Sequence, residues 1–148
     1  MRMLLLPPRL VLILLVAMWA LHMLLPGPTL LSFPYTLVGA AVAALGFVVT
    51  LSGARLFARI RTNIRTWNEP GVLVTDGLFG WSRNPMYVGF VLLLLGTAIL
   101  LGTTTPFIAP VLFAIIADRW YIAFEERAMQ AKFGAEYEAY MGRTRRWL

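Results

Sequence analysis

Two long stretches without a charged side chain limit what this chain can fold into more than any other feature. The segment 10–54 runs for 45 residues, and the segment 84–117 for 34. A helix that crosses the hydrocarbon core of a bilayer needs roughly 20 apolar residues, so the first stretch suits two passes and the second a hairpin. Pro26-Gly27-Pro28 and Pro34 break the first stretch, because these residues do not continue a helix. The chain is therefore predicted to be an all-α integral membrane protein.

Four transmembrane helices follow from these breaks. The first is predicted over about 10–25 and the second over about 35–53. The third and fourth form a hairpin over 86–124 that turns at 103–106. The charge-free residues supply only about 25 Å of helix for each leg, short of the ~30 Å hydrocarbon core. The fourth helix is therefore expected to continue through Asp118, Arg119 and Glu125. Because adjacent residues of a helix point about 100° apart, Asp118 and Arg119 each need a partner elsewhere.

The basic residues orient these helices. All 13 lysines and arginines lie before the first helix, between the second and third, or late in the fourth and after it. The positive-inside rule then places both termini on the cytoplasmic side of a plasma or inner membrane. We expect one membrane domain, composed of an N-terminal helix pair (1–53), a cytoplasmic loop (54–85), the hairpin (86–124) and a cytoplasmic tail (125–148). The net charge of +6 then reflects this orientation and anionic headgroups, and nucleic acid is not an expected partner.

Several kinds of site are disfavoured by the residues present. The chain has no cysteine, which excludes disulfides, thiolate metal sites and thiol nucleophiles. The single histidine, His22, lies at the outer end of the first helix, where an interfacial hydrogen bond is its expected role and no metal site is predicted. No glycine-rich dinucleotide motif follows a strand. Residues 1–19 resemble a signal peptide but precede no small-residue cleavage site, so a retained helix is favoured.

The loop and the tail carry weaker patterns. Residues 55–60 are predicted to extend the second helix along the interface, and the turn-rich segments 67–71 and 75–80 complete a loop long enough to be functional. The tail is predicted to form an amphipathic helix, interrupted at Gly134, that lies on the membrane or folds back over the hairpin. Its apolar face recurs at spacings of four, four and three: Met129, Phe133, Tyr137 and Tyr140.

Ionisable residues at both feet of the hairpin form the candidate site. Arg83 precedes the third helix, and the free N–H groups of that first turn together with its guanidinium favour a carboxylate. Glu125 and Glu126 follow the fourth helix and can bind an ammonium group or offset a cation. A ligand with both a carboxylate and a positive charge would fit between them. The alternative is that these residues are ordinary helix-end charges that extend to the interface.

Motifs in the second half of the chain resemble a known family. The segment 73–89 reads LVTDGLFGWSRNPMYVG and resembles the signature of the isoprenylcysteine carboxyl methyltransferase family, whose superfamily includes phospholipid N-methyltransferases. In that superfamily an Arg-His-Pro-x-Tyr or Arg-Asn-Pro-x-Tyr motif precedes a helix hairpin. A glycine, here Gly96, lies in its first leg, and a Glu-Glu pair follows its second. The tail segment 132–140 is also similar, so that the resemblance covers about 73–148.

Two residues depart from the family pattern. Asn84 stands where the best-known members have histidine, and Phe79 where many have tyrosine. Asparagine donates and accepts hydrogen bonds but does not titrate near neutrality. The resemblance therefore carries cofactor binding to Asn84, and not general-base catalysis.

The resemblance implies a methyltransferase that uses S-adenosylmethionine and a lipid or other lipophilic acceptor entering between the helices. A carboxylate or thiol on a lipid-like molecule is the first choice of acceptor, and a phospholipid amine is the alternative. The fold is also similar to the core of membrane sterol reductases, which would need NADPH and a larger binding surface. A small membrane protein without enzymatic activity is the remaining alternative.

The resemblance also implies roles for particular residues. Arg83 and Glu125 are the predicted catalytic residues, and Arg119 and Arg143 are candidates for substrate binding. The tail helix completes the cofactor site. The predicted cofactor-binding residues are Val74, Gly77, Leu78, Asn84, Pro85, Tyr87, Glu125 and Glu126.

Overall fold

The structure, a computed structural model, describes residues 6–59 and 71–148, and most of these residues are helical. The predicted turn segment at 67–70, Arg61 and Arg65 lie outside these residues. Within them no strand forms, and two isolated bridges are the extended pairings. The helices are α1 (Pro7–Leu24), α2 (Leu37–Arg59), α3 (Leu78–Trp81), α4 (Pro85–Leu101), α5 (Ile108–Ile116), α6 (Ala123–Phe133) and α7 (Ala135–Arg143). A 3₁₀ turn, Thr105–Phe107, precedes α5, and a π-helical turn, Ala117–Ile122, joins α5 to α6.

Three of the described helical segments are long and apolar enough to cross a membrane: Pro7–Leu24, Leu37–Leu56 and Thr105–Phe133. The helix Pro85–Leu101 is also apolar but has only 17 residues. These helices confirm the prediction of an all-helical integral membrane protein. The segment Thr105–Phe133 runs through Asp118, Arg119 and Glu125, as expected of a fourth helix that continues beyond the charge-free residues.

One end of the bundle is held together at the hairpin turn. Gly102 ends α4 with φ +73°, and its carbonyl accepts hydrogen bonds from the N–H groups of Leu30 (2.8 Å) and Leu31 (3.1 Å). His22 Nδ1 lies 2.9 Å from the hydroxyl of Thr103. The turn predicted at 103–106 is confirmed, and so is a hydrogen-bonding role for His22. We call the opposite end of the bundle, which carries Arg83 and Glu126, the polar end.

The helices α2 and α4 pack with their backbones in contact. Gly39 and Gly46 of α2 face Gly96 and Gly89 of α4, and a Cβ atom added at Gly96 would overlap the backbone nitrogen of Ala43. Small residues let helices approach closely in lipid, where van der Waals packing is the main attraction between them. This contact therefore fixes α4, and with it the residues at the foot of α4, relative to α2.

The core lies between α1 and the hairpin. Met18, Leu94 and Phe113 are fully buried there. Towards the polar end the core finishes with Tyr87 and Tyr121, which are 6% and 5% exposed. The first residues of α4 thus rest on a packed apolar base.

The tail folds back over the hairpin, which is one of the two placements expected for it. It is not one helix, because Gly134 takes φ +49° between α6 and α7 and turns the chain. Tyr137 and Tyr140 of α7 are 3% and 2% exposed, whereas Phe133 of α6 is only half-buried. The predicted apolar face is therefore divided, with its tyrosine half in the interior.

We expect Gly96→Ala to destabilise the protein by about 1–3 kcal/mol, because the added methyl group must displace the α2 backbone. Gly142→Ala in α7 is the matched control, since nothing lies within 4 Å of its Cβ position. The measurement is thermal unfolding in detergent. Equal unfolding midpoints for the two variants would contradict the close contact of α2 and α4.

Candidate functional site

Arg83 and Glu126 form a largely buried ion pair at the polar end. Arg83 Nη2 donates to Glu126 Oε1 at 2.8 Å, and the two side chains are 11% and 15% exposed. Arg83 Nη1 donates to the carbonyls of Thr144 (2.8 Å) and Met141 (3.3 Å). Charge-assisted bonds of this kind are short and roughly twice as strong as neutral ones. The guanidinium before α4 is thereby joined to α6 and to the end of α7.

Arg146 binds the same carboxylate from the other side. Its Nε and Nη2 donate to the two oxygens of Glu126 in a forked arrangement, with 3.1 Å for the Nε bond. Its Nη1 donates to Asp118 Oδ1 at 3.2 Å, and Trp147 Nε1 donates to that oxygen at 3.0 Å. The hydrogen bonds that Arg146 donates to Glu126 raise the pKa of Arg146 above its ordinary value. Two carboxylates thus share one permanently charged guanidinium.

The C-terminal residues 144–147, which we call the strap, also pair with the backbone before α4. Ser82 and Arg145 form a parallel bridge, and the N–H of Arg83 donates to the carbonyl of Arg145 at 2.9 Å. The side-chain amide of Asn84 donates to the carbonyl of Arg146, also at 2.9 Å. Asn84 is 8% exposed and its N–H donates to Ser82 Oγ at 3.0 Å. The strap therefore holds the backbone of Arg83 and the side chain of Asn84 in place.

Glu125 and Glu126, although adjacent, have different partners. Tyr87 donates its hydroxyl to Glu125 Oε1 at 2.8 Å. The Tyr87 ring stacks on Tyr121, with centroids 6.2 Å apart and planes 12° apart, and lies 6.5 Å from Phe113. Glu125 thus lies against the aromatic end of the core, and Glu126 lies in the arginine cluster.

The loop residues implied in cofactor binding lie just before the motif. Gly77 has φ +61° and precedes α3, Leu78 begins α3 and is 37% exposed, and Val74 is half-buried. Tyr140 of α7 donates its hydroxyl to the carbonyl of Phe79 at 2.6 Å. This bond fixes α3 to the tail, so that the loop ends beside the arginine cluster.

The two substrate-binding candidates have few contacts. The side chain of Arg119 is 83% exposed and its Nε lies 3.7 Å from Asp118. Arg143 is exposed, with its guanidinium carbon 5.9 Å from the centre of the Tyr140 ring. An open cleft of about 600 Å³ lies between α6 on one side and α7 with the strap on the other, lined by Arg119, Ala123, Glu126, Arg127, Gln130, Glu138, Met141 and Arg146.

Sequence reasoning did not single out Arg146, and it named Tyr140 only as part of the apolar face of the tail. Arg146 lies in a basic run with Arg143 and Arg145, and nothing in that run distinguishes it from its neighbours. The sequence did indicate that Asp118, a carboxylate at the edge of an apolar segment, needs a partner. That partner is Arg146, which lies 28 residues further along the chain.

Burial raises the pKa of Tyr140 to about 12 and that of Tyr137 to about 12. A raised pKa in the folded state means that the neutral hydroxyl is favoured there. This stabilisation is complete below the unfolded value of about 10 and is lost as pH rises from 10 through 12. These two tyrosines should therefore lower the stability of the folded protein only at alkaline pH.

We expect Tyr140→Phe to lower the free energy of unfolding by about 1 kcal/mol at pH 8, because the carbonyl of Phe79 loses its donor. The variant should also lose less stability than the wild type between pH 10 and pH 12. Tyr35→Phe is the control, because Tyr35 is 69% exposed. Denaturation in detergent at several pH values measures both effects, and identical alkaline profiles for wild type and Tyr140→Phe would contradict them.

Comparison with known proteins agrees with this arrangement. The sequence pattern of the family described as phospholipid methyltransferase matches residues 34–136. The protein-S-isoprenylcysteine O-methyltransferase of Schizosaccharomyces pombe is 38% identical over 76 residues, which are 49% of this chain and 31% of that protein. The enzyme of the same name from Saccharomyces cerevisiae is 30% identical over 131 residues, 79% of this chain and 53% of that protein.

A solved structure is similar over most of the chain. The eukaryotic intramembrane Ras methyltransferase ICMT (isoprenylcysteine carboxyl methyltransferase) superposes with a TM-score of 0.69 and 26% sequence identity. The match covers 89% of this chain and 49% of that one, so the chain spans about half or less of the length of these relatives. With the family pattern matched over residues 34–136 and this likeness in three dimensions, the chain belongs to the phospholipid methyltransferase family, among whose members it is similar to the isoprenylcysteine carboxyl methyltransferases.

Proposed function

We propose that this protein is an integral membrane methyltransferase that uses S-adenosylmethionine and binds it at the polar end of the hairpin. One observation carries the proposal. The motif Arg83–Tyr87 and the Glu125–Glu126 pair are joined by two hydrogen bonds of 2.8 Å, Arg83 to Glu126 and Tyr87 to Glu125. The family match and the methyltransferase names of the relatives support the same reaction.

The residues at the polar end suit the chemistry of this cofactor, which has a carboxylate, an ammonium group and a sulfonium that supplies the methyl group. Among the residues described, Arg83 Nε is buried without a hydrogen-bond partner. This N–H group can donate a hydrogen bond to the carboxylate of the cofactor while Arg83 keeps its ion pair with Glu126. Glu125, oriented by Tyr87, offers a carboxylate for a positive charge, and Tyr121 adds an aromatic wall.

Each predicted residue then has a role. Asn84, Pro85 and Tyr87 position the cofactor from the start of α4, and Glu125 and Glu126 do so from α6. The adenosyl group lies against the loop residues Val74, Gly77 and Leu78, and Arg83 orients a substrate carboxylate or the carboxylate of the cofactor. Methyl transfer needs the two reactants in line and no covalent enzyme intermediate, so positioning is the main contribution of the protein.

The site lies at the cytoplasmic interface of a protein with four membrane-spanning helices. The 17 residues of α4 give about 25 Å of helix, a little less than the ~30 Å hydrocarbon core, so the polar end of α4 lies near or just inside the boundary with the headgroups. Trp81 and Trp120 at this end are 82% and 70% exposed, as expected of an aromatic belt. The arginines at this end place it on the cytoplasmic side, with both termini. A lipophilic acceptor can then enter from the bilayer.

We propose a carboxylate or thiol on a lipid-like molecule as the acceptor, since two relatives are named protein-S-isoprenylcysteine O-methyltransferases. A phospholipid amine is the second candidate, which the description of the matching family favours. Arg119 and Arg143 are the proposed contacts for the acceptor. The chain spans 31% and 53% of those relatives, so their recognition of a protein substrate is not transferred to it.

The proposed cofactor site predicts that the detergent-purified protein binds S-adenosylhomocysteine with micromolar-range affinity. Tyr87→Phe should weaken binding about tenfold, because losing a hydrogen bond to a charged group costs about 1.5 kcal/mol or more. Tyr35→Phe should leave the affinity unchanged. Titration calorimetry measures all three proteins. Folded wild-type protein that gives no binding signal would sink the methyltransferase proposal.

The acceptor can be identified by radiolabelled methyl transfer into a total lipid extract. We expect label in the lipid fraction, with loss of most of it when Arg83→Gln replaces the wild type. Treatment with alkali then separates the candidates. A methyl ester releases labelled methanol, whereas a methylated amine or thiol keeps its label and is identified by mass. Label in no lipid species, from protein that binds S-adenosylhomocysteine, would contradict a lipid acceptor.

A further inference from the structure

The π-helical turn Ala117–Ile122 changes the register of the helix that carries both glutamates. Before this turn Phe113 packs 6.5 Å from Tyr87, and after it Glu125 accepts the hydroxyl of the same tyrosine at 2.8 Å. Likewise Asp118 and Glu126, eight residues apart, both bind Arg146. The first pair is separated by the whole π turn, and the second begins within it, at Asp118.

An unbroken α-helix would not align either pair. At about 100° for each residue, Phe113 and Glu125 would point about 120° apart, and Asp118 and Glu126 about 80° apart. A π turn takes up one extra residue and so sets the following helix back by about 100°. The difference then falls to about 20° for Phe113 and Glu125, and it also decreases for Asp118 and Glu126, because most of the turn follows Asp118. One feature of the backbone thus accounts for the partners of Glu125 and of Glu126.

The alignment creates a chain of contacts that ends at the motif. Asp118 holds Nη1 of Arg146, the other nitrogens of Arg146 hold both oxygens of Glu126, and Glu126 holds Arg83. The outer members are partly solvated, because the side chains of Arg146 and Asp118 are 38% and 27% exposed. An ion pair exposed to this degree contributes little to global stability. Its main effect is therefore on the geometry of Glu126 and Arg83.

We propose that Asp118 and Arg146 are positioning residues of the methyltransferase site. The π turn sets the register of the helix, Asp118 holds Arg146 in place, and Arg146 holds Glu126 against Arg83. This inference rests on the proposed function for its effect on cofactor binding. The alignment itself does not depend on that function. Asp118 also accepts a hydrogen bond from Trp147, but its connection to Glu126 and Arg83 runs through Arg146, so we treat Asp118 and Arg146 as one unit.

A double-mutant cycle tests this unit. We expect Arg146→Gln to weaken S-adenosylhomocysteine binding about tenfold and Asp118→Asn several-fold, with the double variant no weaker than Arg146→Gln alone. Arg146→Lys should restore only part of the affinity, because lysine keeps the charge but lacks the fork that reaches both oxygens of Glu126. Unfolding midpoints close to that of the wild type show that each variant is folded. Fully additive losses, or unchanged affinities, would overturn the positioning role.

Length variants test the register without any ligand. Deleting Trp120 should let the π turn relax to an α-helix of the same register, so its unfolding midpoint should match that of Trp120→Ala, a control of full length. Inserting an alanine after Trp120 should rotate α6 and lower the midpoint by several degrees. A deletion that unfolds the protein while the insertion is tolerated would overturn the register account. If these variants behave as expected while wild-type protein binds no S-adenosylhomocysteine, the proposed function fails and the register account stands.

Discussion

The ion pair between Arg83 and Glu126 is the interaction on which the polar end of this protein depends. Removing two charges from water costs several kcal/mol for each ion, and only good geometry with further hydrogen bonds offsets that cost. Here Glu126 is held by two guanidinium groups, and Arg83 by a carboxylate and two carbonyls. These partners come from the segment before α4, from α6, from the end of α7 and from the strap, so the pair is supported from four parts of the chain.

The apolar part of the fold provides the rigid base that such a pair needs. Close packing of α2 on α4 at Gly46 and Gly96 leaves the start of α4 little freedom to shift. Phe113 and Tyr121 support the Tyr87 ring from below, so its hydroxyl meets Glu125 in a fixed direction. In lipid, where helices gain little from hydrophobic burial against one another, this precision comes from packing. The membrane hairpin therefore acts as the scaffold and the folded-back tail completes the site.

Charge distribution alone predicted much of this architecture. The length of the charge-free segment 84–117 predicted a hairpin whose feet bring Arg83 near the glutamate pair, and the glycine at position 134 predicted a break in the tail. The partners within the cluster were not predictable in this way. Arg146 belongs to a basic run in which three arginines look equivalent, and only the strap pairing with Ser82 selects it. The π turn was also not predictable from the sequence. The helix is apolar around it, so one extra residue causes no clear change in the hydrophobic periodicity.

Glu125 and Glu126 are adjacent but bind different residues, and this difference relates the fold to the proposed chemistry. Glu126 completes the ion cluster, while Glu125 and the Nε donor of Arg83 are the groups that we propose to bind a ligand of opposite charges. The measurement that tests this account most directly is a structure of the protein with S-adenosylhomocysteine bound in a lipid nanodisc. The account predicts the ligand at the foot of α4, within hydrogen-bonding distance of Asn84 and Glu125, with Glu126 still bound to Arg146. Ligand density at the opposite end near His22, or a Glu126 released from both arginines, would contradict it.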